Sequence, residues 1–338
     1  MNRYWQVARR VVFAIFAAYL VLSVIFVFIA LTPDPQLATL KRAAAQEAAD
    51  EDVPLKQTDS WERVMTYKQR RGLDEPLLTR YRNWMVSYST FDWGESYGAT
   101  GQTAFGGSYG SGYTGGVSVT SLVGSALSTT LRYVIPAVIL AVIGGLLVGL
   151  YTATHQHTLL DRVGTSIAYF GFSLPNFWLA AMVSVVLAGG GWVAGLGSGT
   201  HSLLTSVIFP AAIVGTSLFA GQLRYARAQS LEYIDAEFIK LVRAKGASEW
   251  RVARHLLRNA AIPLFSLFFS DMIGILVLNI FVIEYVLGIP GLGQLSLVAI
   301  QGRDLPVILG TSMVIILFGI VGNLLQDIAY GVLDPRVE

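Results

Sequence analysis

The chain has 338 residues, 54% of them hydrophobic and only 14% charged, with a formal net charge of +2 and a mean hydropathy of +0.55. Soluble domains carry about 25% charged residues, so this is the composition of an integral membrane protein, and so small a net charge gives no footprint for a nucleic-acid partner. With no cysteine in the chain, disulfides, thiolate catalysis and Cys-based metal sites are excluded, and His155, His157, His201 and His255 fall at no zinc-binding spacing.

A bilayer crossing needs about 20 apolar residues, and six runs meet that length: Val11–Leu31, Leu131–Ala153, Ile167–Gly189, Leu203–Tyr225, Leu264–Leu287 and Pro306–Gly331. The first is too long for the apolar region of a signal peptide. Thr-Pro-Asp-Pro follows it rather than a small-residue cleavage site, so it reads as a retained helix. Six spans put both termini on one side. Arg3, Arg9 and Arg10 precede the first span and a basic loop follows the fourth, which places that side in the cytoplasm.

Residues 32–130 then form an extracytoplasmic cap, whose nine Lys and Arg are no obstacle because a loop of that length translocates largely regardless of charge. Gln36–Asp52 is Ala-rich and reads as helix, and Asp59–Tyr97 mixes aromatic and charged residues as a small helical cap. The Gly/Ser/Tyr tract 98–116 has too little apolar area to order itself and reads as a flexible linker or hairpin. The expected units are residues 1–31 (tail and first span), the cap 32–130, a core 131–331 with a cytoplasmic loop 226–262, and a cytoplasmic tail 332–338. Residues 154–165 read as a short cytoplasmic turn, and a Gly-rich stretch, 189–199, joins spans three and four outside. Between the last two spans, Pro290 and Gly291 signal a turn, and the Leu-rich residues after them suggest a re-entrant or interfacial helix.

The cytoplasmic loop is the most informative segment. From Arg224 to Arg258 it carries eight Lys and Arg against four Asp and Glu. Ile234, Phe238, Leu241, Val242 and Lys245 fall at i, i+4, i+7, i+8 and i+11, which predicts one apolar helical face with a basic end. Gly246 gives the backbone freedom to stop that helix. A second helix is predicted from Ser248, with Arg251, Arg254, His255 and Arg258 along one stripe. Two readings stand: a surface that docks another protein, or a helical pair held on the inner leaflet by anionic lipid.

Ionisable residues inside spans cost roughly 2.5–3.5 kcal/mol each at a helix centre, so Asp271 and Glu284 are candidates for a pathway or gate, the alternative being polar contacts between helices. Asp327, beside Asn323 and Gln326, is a third such residue, near the inner end of the last run. Pro175 is a hinge candidate; Pro136, Pro210, Pro263 and Pro306 read as packing or kinks. Gly145-x-x-x-Gly149 predicts a close helix crossing. No catalytic or metal site is expected. None of the five lysines follows a glycine, so there is no phosphate-binding loop. Gly106-Gly-Ser108-Tyr-Gly110 matches a nucleophile elbow in letters only, with no strand before it and no helix after it.

Five blocks carry a family resemblance: GLDEPLLTRYRNW with DWGESYG within 72–98, FSLPNFWLA at 172–180, RAKGASEWRVARHLLRNAAIP at 243–263, GIPGLGQLSLVAIQGRDLPVILG at 288–310 and NLLQDIAYGVLDPRVE at 323–338. In that order they resemble the permease subunits of ATP-binding-cassette importers of the dipeptide/oligopeptide (and nickel) branch, with 243–263 as the cytoplasmic "EAA" loop. The chain departs from the family pattern in Thr-Pro-Asp-Pro after the first span, in the long cap with its Ala-rich and Gly-rich stretches, and in Lys240-Leu241-Val242 ahead of Arg243.

The resemblance implies an all-α polytopic membrane protein with six transmembrane helices in the type I importer permease (MetI-like) fold, with an enlarged extracytoplasmic cap. It implies a coupling helix over Asp235–Ala247, with Glu237, Phe238, Leu241, Val242, Arg243, Ala244, Lys245, Gly246 and Ala247 contacting a separate ATPase. This chain would bind no cofactor, ATP and Mg being used by the partner subunits. Implied partners are a second homologous permease, two ATPase subunits or a fused pair, an extracytoplasmic substrate-binding protein and membrane lipid, in a prokaryotic plasma membrane. The implied cargo is a short peptide, with nickel or another small solute as outliers. A stand-alone secondary transporter, or a scaffold tethering an ATPase, are the rival classes; the first would be expected to show internal repeats, and none is apparent.

Overall fold

The computed structural model describes residues 3–70, 72–96, 117–188, 203–257, 279–302 and 304–333. Asp271, the Gly-rich tracts 98–116 and 189–199, Pro263, Arg258 and the last five residues lie outside them. The described residues are nearly all helical, with one isolated antiparallel bridge, Glu95 to Ser118, and no sheet among them.

Four helices are long and apolar enough to cross a membrane unaided: α1 (Arg3–Leu31), α5 (Val119–Thr154), α8 (Phe209–Ile234, entered through a π-helical turn, Leu204–Ile208) and α13 (Leu305–Leu333). Two bent helix pairs pass the same test only when each is taken together, as a broken span or a re-entrant loop: α6 (Leu159–Ser173) with α7 (Asn176–Ala188) at 85°, and α11 (Asn279–Leu287) with α12 (Leu292–Gly302) at 82°. This gives six crossings when each pair counts once. The run predicted as the third span is interrupted at Leu174–Pro175. Proline has no N–H and disfavours helix in the residue before it, so Leu174 turns extended as the cap of α6, and the Pro175 carbonyl accepts the first α7 amides from Trp178 and Leu179. Helix α6 also begins inside the stretch predicted as a turn.

The cap consists of α2 (Pro35–Glu51), α3 (Asp59–Arg70) and α4 (Leu77–Ser89). Helices α2 and α3 form a hairpin around fully buried Ala44 and Val64. The Glu47 carboxylate of α2 accepts the first amides of α3, from Asp59 and Ser60, both at 3.0 Å. Helix α4 lies against α1, where Tyr81 meets Ser23 at 2.8 Å and Phe26 edge-on at 5.3 Å.

Helix α5 is 36 residues long, roughly 54 Å at 1.5 Å per residue, well beyond a hydrocarbon core of about 30 Å. Its overhang at the cap end packs with Trp93, Leu292, Leu295, Val307 and Met313 in one buried cluster. Toward its other end it crosses α8 closely. A Cβ on Gly145 would stand 2.8 Å from the Phe219 carbonyl, and one on Gly149 would stand 2.6 Å from Ala226 Cβ. Only glycine fits at those two positions, as the predicted Gly-x-x-x-Gly crossing requires.

Candidate functional site

The polar and exposed features gather at two ends of the helical core. At the end away from the cap, α8 runs past the predicted span limit to Ile234, and after Asp235 and Ala236 a short helix, α9 (Glu237–Ala244), begins. The expected 235–247 helix is therefore shorter. Asp235 ends α8, Ala236 is extended, and Lys245 and Gly246 turn the chain, with Gly246 at φ +73°. Residues 249–257 form the next helix, α10.

The predicted single apolar face is also corrected, because the break at 235–236 changes the helical register. Ile234 closes α8. The inward residue of α9 is Ile239, fully buried in a cluster with Leu150, Ile234, Val252 and Leu256, against which Val242 packs. Phe238 and Leu241 point outward, 37% and 56% exposed, beside exposed Lys245. Lys240 pairs with Glu237 at 2.9 Å and Arg243 with Glu249 at 3.6 Å, both pairs at the surface. On α10, Trp250, Arg251, Arg254 and His255 are exposed, while Val252, Ala253 and Leu256 are buried. The result is a short helix clamped from behind that presents an apolar pair with a basic end.

Above it, α8 grips both arms of the bent third crossing. Asp161, nearly buried at the start of α6, accepts Arg227 Nε at 3.0 Å and Nη2 at 3.3 Å. It also accepts the His157 amide at 3.0 Å and the Thr165 hydroxyl at 3.3 Å. The Arg224 guanidinium lies 4.6 Å from the Phe172 ring centre near the end of α6. Beyond the bend, buried Asn176 donates to Ser217 Oγ at 2.9 Å and accepts from Thr216 at 3.4 Å. Pro175 thus stands at the bend itself, one residue before a side chain tied to α8.

At the cap end the central feature is Glu284. It is fully buried. Its Oε1 accepts the hydroxyls of Thr130 at 2.6 Å and Tyr133 at 2.8 Å, both on α5. Its Oε2 accepts the amides of Gly293 at 2.7 Å and Gln294 at 3.2 Å, in the first turn of α12. Thr130 Oγ1 in turn accepts the Leu292 amide at 2.9 Å. A helix start leaves amides without partners inside the helix, and here a carboxylate from the preceding helix supplies partners. The turn that allows this is Gly288-Ile289-Pro290-Gly291, with Gly288 at φ +66°. A Cβ on Gly291 would overlap the Glu284 carboxylate, and one on Gly293 would stand 2.6 Å from Phe281 Cα. At the other end of α12, buried Asp304 accepts the Ser96 hydroxyl, and the Ser96 amide donates to Val117 at 2.8 Å. DWGES and the end of GIPGLG…GRDLPVILG therefore meet at the start of α5.

Sequence reasoning named Glu284 and Pro175 but missed Thr130, Tyr133, Asp161, Arg227 and Ile239. One signal was present: Thr158-x-x-Asp161 ahead of an apolar run is a capping pattern, and Thr158 Oγ1 does accept the Asp161 amide at 3.2 Å. Asp327 is exposed near the far end of α13.

Long apolar helices and bent helix pairs around a close glycine-packed crossing define a polytopic membrane protein. The family of binding-protein-dependent transport system inner membrane components matches residues 145–338, more than half of the chain, and the chain belongs to that family. It is similar to the oligopeptide transport system permease protein AppB of Bacillus subtilis, 33% identical over 201 residues, covering 56% of this chain and 63% of that protein. It is also similar to the dipeptide transport system permease protein DppB of the same organism, 30% identical over 192 residues, covering 56% of this chain and 61% of that protein. The matched region spans less than two thirds of these relatives.

Proposed function

We propose that the chain is the membrane-spanning subunit of an ATP-driven, binding-protein-dependent importer of short peptides, forming half of the translocation pathway. It docks a separate ATPase through α9. The observation that carries this reading is the exposed Phe238–Leu241 pair on a helix whose opposite side is locked by Ile239. Two large apolar side chains exposed on a rigid mount fit an interface anchor. Of the expected coupling residues, Phe238, Leu241 and Lys245 form the outward surface, with Glu237 and Arg243 at its sides. Val242 braces it from behind, and Ala244, Gly246 and Ala247 end and turn it.

The family description supports a substrate-binding protein and an ATPase as partners, with ATP and Mg used in the latter. A second, related permease would complete the pathway. The names of the relatives support peptides as cargo. Basic residues at Arg9, Arg10 and along 224–258 support a cytoplasmic position for both termini and for α9.

The test is a detergent pull-down of the chain co-expressed with its neighbouring genes, run beside Leu241→Asp. Recovery of an ATPase and a second polytopic protein with the wild type, and loss of the ATPase alone with the variant, is the expected result. A folded wild-type chain recovered without an ATPase would defeat the reading.

A further inference from the structure

Helix α8 runs unbroken from the bent third crossing to Ile234, beside the docking helix, and four of its contacts with that crossing lie on one stripe. Thr216, Ala220, Arg224 and Arg227 fall at i, i+4, i+8 and i+11 of α8, the spacing of a single helical face. Thr216 meets Asn176 beyond the bend, Ala220 lies 3.6 Å from where a Gly171 Cβ would stand, Arg224 covers Phe172, and Arg227 holds Asp161. Both arms of the 85° bend are thus fastened to one rod. The adjoining face of that rod, Phe219, Leu223 and Ala226, is pressed on the glycines of α5. Its end, Ile234, is packed in the same cluster as Ile239 of α9.

These links differ in kind. Beyond the bend, Asn176 is held by neutral hydrogen bonds with Ser217 and Thr216, and Ala220 and Arg224 make surface-to-surface contacts. The link at Arg227 is a forked ion pair, in which a planar guanidinium meets both oxygens of a carboxylate. That carboxylate is itself fixed by His157, Thr165 and the capped first turn of α6. Such a joint passes a rotation or shift of α8 on to α6, where apolar side chains would slide.

We propose that Asp161 and Arg227 are the positioning pair that transmits movement of the docking helix to the bent third crossing, so that the Pro175 bend moves with α8 and not as a free hinge. The proposal rests on the reading of α9 as the ATPase-docking helix. It predicts a specific failure: without the pair, the ATPase still binds and hydrolyses ATP, but the far arm of the crossing stops responding.

The chain has no cysteine, so a single Val185→Cys, at an exposed site on α7 distant from both the pair and α9, accepts one environment-sensitive fluorophore. The labelled chain is studied in the complex with its co-expressed partners, with and without ATP plus vanadate. Wild type is expected to give a nucleotide-linked change in emission. Arg227→Asp and Asp161→Arg should each abolish that change while the ATPase is still recovered in the pull-down, and the two together, which restore opposite charges, should bring it back. Arg227→Lys, which keeps the charge but loses the fork, should give a reduced change; it stands in if a charge reversal fails to fold. An undiminished response in Arg227→Lys or in either reversal would overturn the proposal. So would a loss that the charge exchange does not restore in a complex of normal composition and melting temperature. Failure of the wild type to recover any ATPase would instead overturn the docking reading, and this inference with it.

Discussion

The cap end and the docking end of this molecule are held by opposite means. At the cap end a carboxylate with no solvent exposure accepts four hydrogen bonds and ties α5, α11 and α12 at one point, with glycines where no side chain has room. At the docking end, α9 is fixed by apolar packing behind it, its ion pairs lie at the surface, and Phe238 and Leu241 stand exposed among them. Buried polar networks cost much to disturb and specify one arrangement, whereas surface ion pairs contribute about 0–1 kcal/mol. The cap-end junction therefore resists change, and the docking end is built to be completed by something else.

The contrast is broken most directly at Glu284. Glu284→Ala would leave two hydroxyls and two amides without this acceptor, each worth about 1–3 kcal/mol when buried and unpaired. It should lower the melting temperature of the detergent-solubilised protein more than any other change considered. Glu284→Gln separates shape from charge: its amide oxygen can still accept from Gly293 and Gln294, while its NH2 can donate to the two hydroxyl oxygens, so most of the stability should return. If Glu284→Gln melts and transports like wild type, the group is a positioning residue of the junction. If it melts normally but does not transport, the charge itself serves the pathway, as the sequence first allowed.

Gly149→Val comes next. The added methyls meet Ala226 Cβ and the Leu223 carbonyl at the closest point of the α5–α8 crossing, and overpacking of this kind costs about 1–3 kcal/mol. The expected readout is a lower melting temperature with α9 still able to recover an ATPase in pull-down. Leu241→Asp should show the reverse. At a 56% exposed position it should move stability by no more than about 0.5 kcal/mol, yet remove the anchor of the docking surface and with it the ATPase. A variant that melts much earlier than wild type would mean that Leu241 packs within the chain.

What the sequence disclosed follows from what each feature needs. Crossings are set by the length of apolar runs, which is local, so six runs were countable. Gly145 and Gly149 were legible because close approach demands glycine at a helical spacing. The break at Asp235–Ala236 was not, since neither residue forbids a helix. It is decided by the packing of Ile234 and Ile239 into one cluster with Leu150 and Val252, contacts far apart in sequence. The same holds for Glu284. Its residue type marked it as unusual for a span, but its partners lie 151 and 154 residues away on α5, and no local pattern identifies Thr130 or Tyr133. Pro175 announced an interruption, while the fastening of both arms of the bend to α8 depends on Asp161 and Asn176 finding partners there.

The smallest effect sharpens the comparison from a third place, the cap hairpin, where a carboxylate caps a helix start as Glu284 does but in contact with water. Glu47 accepts the Asp59 and Ser60 amides at 3.0 Å. Its hydrogen bonds, first that with the Ser60 side chain and then those with the two amides, with Arg63 nearby, hold its pKa below the ordinary value of 4.5. A carboxylate whose folded pKa is depressed stabilises the fold above the unfolded value and ceases to do so as pH falls through the folded one. The stabilisation from Glu47 should thus be complete at neutral pH and disappear below about pH 4.5. Hydrogen exchange at Asp59 and Ser60, compared between wild type and Glu47→Gln, reads this locally. Protection should be greater in the wild type near pH 7, with the two converging as the pH falls through the lowered pKa of Glu47. A difference that persisted at low pH would show that the side chain acts by packing on α3 and not as an ionised cap. The water that makes this cap weak and pH-dependent is what the junction at Glu284 excludes.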